Sequence, residues 1–171
     1  MRLYVAKVPV IAQEMVRTLV EAGDIETESA AEVELDVTSV LKEYVRVDRE
    51  LTDKAKDLME KRGLPYGQFA RTKRIMAEER GFPSGEEVLG YLANQLLEVF
   101  MHSKHVDEVY ADDVDLRKKV QALLKKHMHI DEELDQEVRR RIKNLEEGTA
   151  AWDVEYQKAL EQLKRKHKLE P

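Results

Sequence analysis

Apolar residues recur every three or four positions along most of the chain, the spacing that gathers them on one face of an α-helix. In the first half, this spacing predicts a helix over about 8–22, a long helix over about 36–62 and a shorter helix over about 66–80. Pro9 fits the first turn of the first helix, where its missing N–H is not needed. Gly23 suits the end of that helix.

The second half of the chain predicts the same order of helices, over about 85–104, 114–146 and 150–168. Ser84, with Glu87 three residues later, is typical of a capping box at a helix start. Gly148 and Thr149 predict a stop followed by a new helix cap. Each half is therefore expected to contain a short helix, a long helix and a third helix.

The two halves also share a pattern of residues. The stretch "IAQEMVRTLVEAGDIE" from Ile11 aligns with "LANQLLEVFMHSKHVD" from Leu92, at a constant offset of 81. The stretch "VLKEYVRVDREL" (40–51) aligns with "LLKKHMHIDEEL" (123–134), at an offset of 83. Repeated units of this kind gain stability when each buries its apolar face against its neighbour. The pattern predicts a tandem duplication of one unit of about 80 residues.

The predicted fold class is all-α, with the helices packed as a bundle or as extended hairpins. The two homologous units are expected at 1–82 and 83–171, the first being the more degenerate copy. A short two-stranded ribbon is also expected, formed by Leu3–Val5 and Val33–Leu35.

Composition narrows the possible functions. Apolar residues make up 42% of the chain and charged residues 37%, and the net charge is −6. A net negative charge opposes bulk capture of nucleic acid, which needs an excess of Lys and Arg. Cysteine is absent, so disulfides, thiolate metal sites and a cysteine nucleophile are excluded. No apolar run approaches about 18 residues and residues 1–12 contain no leader-like core, so we expect a cytoplasmic protein without a membrane anchor.

A carboxylate interrupts the apolar stripe of the long helix at the same place in each half, at Asp48 and at Asp131. An unpaired carboxylate buried in such a seam would be costly. Each is therefore expected to pair with a donor, to face water at a bend or to lie at a new helix start. We predict a kink or break near 47–48 and near 130–131. The alternative is a ligand-binding acid shared by both halves.

Histidines lie only in the second half. His102 and His105 are three residues apart, and His127 and Asp131 are four apart, spacings that can hold a divalent metal on a helix. Their convergence would support a metal-dependent hydrolase. The first half has other residue types at the equivalent positions, which favours ordinary polar surface, and we expect no metal and no cofactor.

Basic residues cluster on the last two predicted helices, together with two aromatic residues. Such a face can bind nucleic acid or an acidic partner, although solvated helix faces give similar runs. Trp152 and Tyr156, four residues apart, also fit a packing role against the long helix. The candidate binding residues are Arg139, Arg140, Lys143, Trp152, Tyr156, Lys164 and Arg165.

The end of the chain resembles a known family. The stretch "IDEELDQEVRRRI" (130–142) and the following "KNLEEGTAAWDVEYQKALEQLKRK" (143–166) are similar to the bacterial domain-of-unknown-function family 507. An earlier part of the family pattern is matched twice, at 11–12 with 40–43 and at 92–93 with 123–125. The tryptophan helix has no counterpart in the first half. This resemblance implies an all-helical bacterial protein and no particular activity.

We therefore expect a non-enzymatic interaction or scaffolding protein of the bacterial cytoplasm. Its partner would be another protein or a second copy of itself, and no membrane is expected to be involved. One alternative is a nucleic-acid-associated protein that uses the basic face of the second unit. A metal-dependent hydrolase is the other alternative.

Overall fold

The computed structural model describes residues 1–169, so the last two residues of the predicted second unit lie outside the described residues. Helices account for most of this part of the chain, and the predicted all-α fold class is confirmed. The helices are α1 (Val8–Glu21), α2 (Ala30–Arg62), α3 (Phe69–Arg80), α4 (Glu87–His102), α5 (Asp113–Met128), α6 (Ile130–Arg141) and α7 (Ala150–Lys166). Short 3-10 turns cover Val5–Lys7 and Tyr66–Gln68. No helix within 1–169 is long and apolar enough to cross a lipid bilayer.

Helix α2 begins six residues before its predicted start. The Ser29 carbonyl accepts the amide N–H groups of Glu32 and Val33, at 2.9 and 3.1 Å, and so closes the first turn. Val33 and Val37 are both fully buried, which extends the apolar stripe of the helix toward its N-terminus. Glu32, Glu34 and Asp36 therefore belong to the first turns of α2 rather than to the loop before it.

The sequence predicts side-chain caps at two other helix starts. The predicted capping box at Ser84 is wrong, because α4 begins three residues later without a side-chain cap. Ser84 contributes only its backbone carbonyl, which accepts from the N–H of Glu87 at 3.2 Å. The predicted cap at Thr149 is confirmed, since its Oγ1 accepts from the N–H of Trp152 at 3.2 Å.

The predicted helix over 114–146 is divided into α5 and α6, as expected near 130–131, with the break at His129. The break leaves the Met128 carbonyl available to accept from the N–H of Arg2 at 3.2 Å. The second predicted break, near 47–48, is wrong because α2 runs through it without interruption.

The ribbon predicted at Leu3–Val5 and Val33–Leu35 is also wrong, since the later segment is helical. A different ribbon joins the two halves, formed by β1 (Ile25–Glu26) and β2 (Glu108–Val109) in antiparallel order. Ile25 lies opposite Val109, and Glu26 lies opposite Glu108. Propensity reasoning selected the β-branched segments, whereas the paired segments are the loops that follow α1 and α4.

The largest apolar cluster is shared by the two halves and is formed by α1, the first part of α2, α4 and α5. Two smaller clusters lie beside it. The first arm (residues 47–80) packs α3 on the second part of α2 and is centred on Leu51, Ala77 and the following Phe82. The second arm (residues 130–169) packs α6 on α7, and Tyr4 inserts into it.

Candidate functional site

A cleft of about 560 Å³ lies between the first arm and the base of the second arm. Helices α2 and α3 form one wall, and the turn from α3 to α4 forms its end. The opposite edge is formed by Glu132 of the second arm and Met1 at the start of the chain. The residues that line the cleft include Tyr44, Asp48, Phe69, Ala70, Lys73, Arg74, Phe82, Ser84, Glu86 and Glu132.

The floor of the cleft is aromatic. Gly81 ends α3 in the left-handed conformation, with φ of 69°, and this turn brings Phe82 back over the first arm. The Phe82 ring stacks on Tyr44 with centroids 5.2 Å apart, and Tyr91 of α4 lies 6.0 Å from Phe82. Burial, and then the nearby charge of Asp48, raises the pKa of Tyr44. Its phenol therefore stays protonated and forms part of a rigid floor.

An ion pair crosses the wall of the cleft. Lys73 Nζ of α3 donates to Asp48 Oδ1 of α2 at 2.8 Å, and both side chains are about one-third exposed. The pair satisfies the carboxylate within an otherwise apolar seam, and α2 runs through this position as one uninterrupted helix. Ion pairs at this exposure contribute little to stability, so the pair mainly fixes the position of α3 along α2.

Asp131 in the second half has a different partner. It lies in the first turn of α6 and accepts a hydrogen bond from the Tyr4 hydroxyl. An acidic residue in a first turn also complements the helix dipole. The same carboxylate is thus placed at a helix start in one half and in a continuous helix in the other.

A family model covers the whole described part of this arrangement, with a match over residues 1–169. The chain belongs to the family described as protein of unknown function (DUF507). No curated protein matches the chain. The match includes residues 63–75, which contain part of the cleft wall.

The histidines of this DUF507 protein do not converge. His102 lies 3.2 Å from Glu98 of its own helix, and His105 lies 3.8 Å from Glu32 of α2. His127 instead bonds to Glu14. Within residues 1–169, no group of three or more His, Asp or Glu side chains is placed to hold a metal ion. The convergence that the hydrolase hypothesis requires is therefore missing from the described residues.

Glu14 joins α1 to α5. Its carboxylate accepts from Lys126 Nζ at 2.6 Å and lies 2.5 Å from His127 Nε2, and the Glu14 side chain is only 19% exposed. The hydrogen bond from Lys126, and then the bond from His127, hold the pKa of Glu14 below its ordinary value of 4.5. The halves of the chain are thus linked by a carboxylate that is charged in the folded state.

We expect this link to weaken in acid. Because the pKa of Glu14 is lower in the folded state, its stabilisation is present above about pH 4.5 and is lost as the pH falls toward the folded pKa. The difference in free energy of unfolding between the natural chain and Glu14→Gln should shrink between pH 7 and pH 3, as measured by urea denaturation. Glu21→Gln, at the exposed end of α1, is the control. A difference that is constant with pH would contradict the assignment.

The basic residues of the second arm are distributed along its length. The Arg139 guanidinium lies 5.3 Å above the Trp152 ring, and Trp152 stacks on Tyr156 at 5.0 Å. Lys164 is 12 residues after Trp152 along α7, about 18 Å away at 1.5 Å per residue. It lies over the Tyr4 ring, with its Nζ 5.9 Å from the centroid.

Acidic residues bind several of these groups. Arg139 pairs with Asp135 at 3.0 Å and with Glu147 at 3.1 Å. The Tyr156 hydroxyl donates to Asp135 at 2.5 Å, and burial, followed by this bond, raises the pKa of Tyr156 to about 12. Arg140 donates to the Gln136 carbonyl at 3.3 Å. A nucleic-acid interface on this arm stays a prediction, as does the role of the exposed Lys143 and Arg165.

Sequence reasoning missed the cleft because its walls are brought together only by tertiary packing. Lys73 is 25 residues from its partner Asp48, and Phe82 lies in a Gly- and Pro-rich turn that indicates only a chain break. One signal was present in the sequence. A lysine on the helix after an interrupted apolar stripe is a candidate partner for the interrupting acid.

Proposed function

We propose that this DUF507 protein is a non-enzymatic interaction protein that holds a segment of a protein partner in the cleft between its arms. The observation that carries the proposal is the cleft itself, about 560 Å³ with an aromatic floor and charged edges. Lys73 and Arg74 lie along the edge formed by α3. Glu86 lies at the end of the cleft, and Glu132 lies on the opposite edge. An apolar floor with polar edges is the pattern by which grooves bind helical or extended segments.

The chemistry of the cleft supports a binding role. Its most enclosed carboxylate, Asp48, is bound to Lys73, and the phenol of Tyr44 is held protonated. A general acid or base needs a pKa near the working pH and access to the substrate. The groups on the cleft wall instead hold each other and the two helices in place.

The partner is identified by placing a photo-crosslinking amino acid at Ala70, in the cleft wall, in living cells. Ala122, exposed on α5 and outside the cleft, is the matched control position. The protein crosslinked from Ala70 and not from Ala122 is identified by mass spectrometry and then purified. Its dissociation constant for the natural chain is measured by calorimetry.

Ala70→Trp should fill the cleft and weaken binding of that purified partner by about 10-fold or more, because the bulky ring occupies the space of the ligand. Ala122→Trp should leave the affinity unchanged. Equal crosslinking from both positions, or an affinity that Ala70→Trp does not alter, would refute the proposal.

We also propose that the chain is an internal duplication with a degenerate first copy. The strands β1 and β2 lie at corresponding places in the two halves, since each follows the first helix of its half. They pair with each other in antiparallel order, as expected of two equivalent segments close to a twofold axis. Two further pairs of residues support the duplication. Glu14 bonds to His127. Their equivalents in the other half are Gln95, at the offset of 81, and Tyr44, at the offset of 83, and these two residues line one groove.

The bacterial cytoplasm is the location that we propose for this activity. Fractionation of cells that express the chain at its natural level, followed by immunoblotting, tests the location. Recovery in the periplasmic or envelope fraction would contradict it.

A further inference from the structure

The tip of the first arm carries an unusual local charge. We define the basic tip as residues 61–77, which join the end of α2 to α3. This stretch has five basic residues and no acidic one, in a chain whose net charge is −6. The basic residues are Lys61, Arg62, Arg71, Lys73 and Arg74.

Three of these cations have no counter-ion among residues 1–169. Lys73 pairs with Asp48, and Arg74 lies 4.0 Å from Glu78. Lys61, Arg62 and Arg71 make no ion pair or hydrogen bond with any residue in the described part of the chain. Elsewhere on the surface, many basic side chains are neutralised by acids one helical turn away. The tip is therefore a site of positive potential on an acidic protein.

An aromatic ring is displayed among these charges. Pro65 is extended and starts the 3-10 turn that lifts Tyr66 out of the arm. The Tyr66 side chain is 80% exposed, and its ring lies parallel to Phe69, at 5° and 6.0 Å between centroids. Phe69 therefore supports one face of the Tyr66 ring, and the other face is open to solvent.

We propose that the basic tip binds single-stranded nucleic acid, with a base stacked on the open face of Tyr66 and phosphates paired with Arg62 and Arg71. A flat exposed ring flanked by unpaired cations is the combination by which proteins bind single strands without sequence preference. A base in a duplex is already stacked and cannot reach the ring. An anionic membrane is less suited, because Ile75 is the only other large apolar side chain exposed on the tip.

The basic tip shares Phe69, Lys73 and Arg74 with the cleft wall. Tyr66, Arg62 and Arg71 do not line the cleft, so these three side chains can be altered without changing its lining. A protein with both surfaces would bring a protein partner and a nucleic-acid strand together on one scaffold. The tip also differs from the second arm, where Arg139 is held by two acids.

The test is fluorescence anisotropy with the full chain and labelled oligo(U) and oligo(dT) of about 12 nucleotides, a length within the usual single-strand site size. A duplex of the same length and phosphatidylglycerol vesicles are the competing ligands. We expect both single strands to bind more tightly than the duplex, and the vesicles not to bind. Tyr66→Ala should weaken single-strand binding about 10-fold, whereas Tyr66→Phe should change it by less than about twofold.

The charge test uses Arg62→Glu with Arg71→Glu, against Lys118→Glu with Lys125→Glu at exposed positions of α5 as a matched control. The first pair should weaken binding more than about 10-fold and reduce the slope of log affinity against log salt by roughly one or more. The control pair changes the net charge equally and should have less than about a threefold effect. Absence of single-strand binding, tighter binding to the duplex or the vesicles, or a larger loss from the α5 pair would each overturn the proposal.

Discussion

Replacing Leu124 with alanine lowers the free energy of unfolding by about 2–5 kcal/mol, and Leu41→Ala lowers it by a similar amount. Both leucines are fully buried in the apolar cluster that the two halves share. Each truncation leaves a cavity that well-packed neighbours fill only in part. The two positions are equivalent at the sequence offset of 83, so the proposed duplication predicts costs within about 1 kcal/mol of each other.

Chemical denaturation followed by circular dichroism measures both effects. Because α1, α2, α4 and α5 form one core, each substitution should shift a single cooperative transition. Leu35→Ala, at a residue 58% exposed on α2, is the control and should cost less than about 0.5 kcal/mol. A cost that differs by more than about 2 kcal/mol between the two core positions would contradict their equivalence. Two separate transitions would indicate that 1–82 and 83–171 fold independently.

The helical part of the fold could be predicted because it is encoded locally. The three- and four-residue spacing of buried positions such as Val37 and Leu41 is sufficient to identify α2. The ends of helices were less predictable where a backbone group, instead of a side chain, accepts the first hydrogen bonds of the helix. The start of α2 depends on the Ser29 carbonyl, which any residue could supply.

Asp48 and Asp131 show the limit of local reasoning. The same carboxylate at equivalent positions gives a continuous helix in one half and a new helix start in the other. The difference comes from distant residues, because Lys73 reaches Asp48 from α3 whereas Tyr4 reaches Asp131 from the start of the chain. Neither partner has a fixed sequence separation from its acid. A sequence pattern can therefore flag the acid but not its surroundings.

The candidate sites follow the same division. The basic run at 71–74 is visible in the sequence. The open ring of Tyr66, and the lack of a counter-ion for Arg71 in the described part of the chain, are properties of the folded surface. In the second arm, the sequence indicates a basic face that the folded surface partly neutralises. Arg139 is prominent in the sequence, yet it pairs with two acids and lies over the Trp152 ring.

Tyr4→Ala should release the second arm from the rest of the molecule. The Tyr4 ring is 5% exposed and packs in the apolar cluster of that arm. Its hydroxyl donates to Asp131, and the Arg2 guanidinium lies 4.8 Å above the ring. Removing a buried aromatic ring costs about 3–5 kcal/mol. We expect this loss to fall on α6 and α7, which contact the main body mainly through this segment and the break at His129.

Hydrogen exchange at individual amides measures where the stability is lost. In Tyr4→Ala, protection should fall by roughly 100-fold or more in α6 and α7, and by much less in α1 and α4. Tyr4→Phe keeps the ring and removes only the donor to Asp131, so it should cost about 1–2 kcal/mol. Tyr110→Ala, at a tyrosine 66% exposed whose hydroxyl bonds to Glu26, should leave the second arm protected. Equal loss of protection in α1, α4, α6 and α7 would mean that the second arm is part of the main folding unit, and Tyr4 would then be an ordinary core residue.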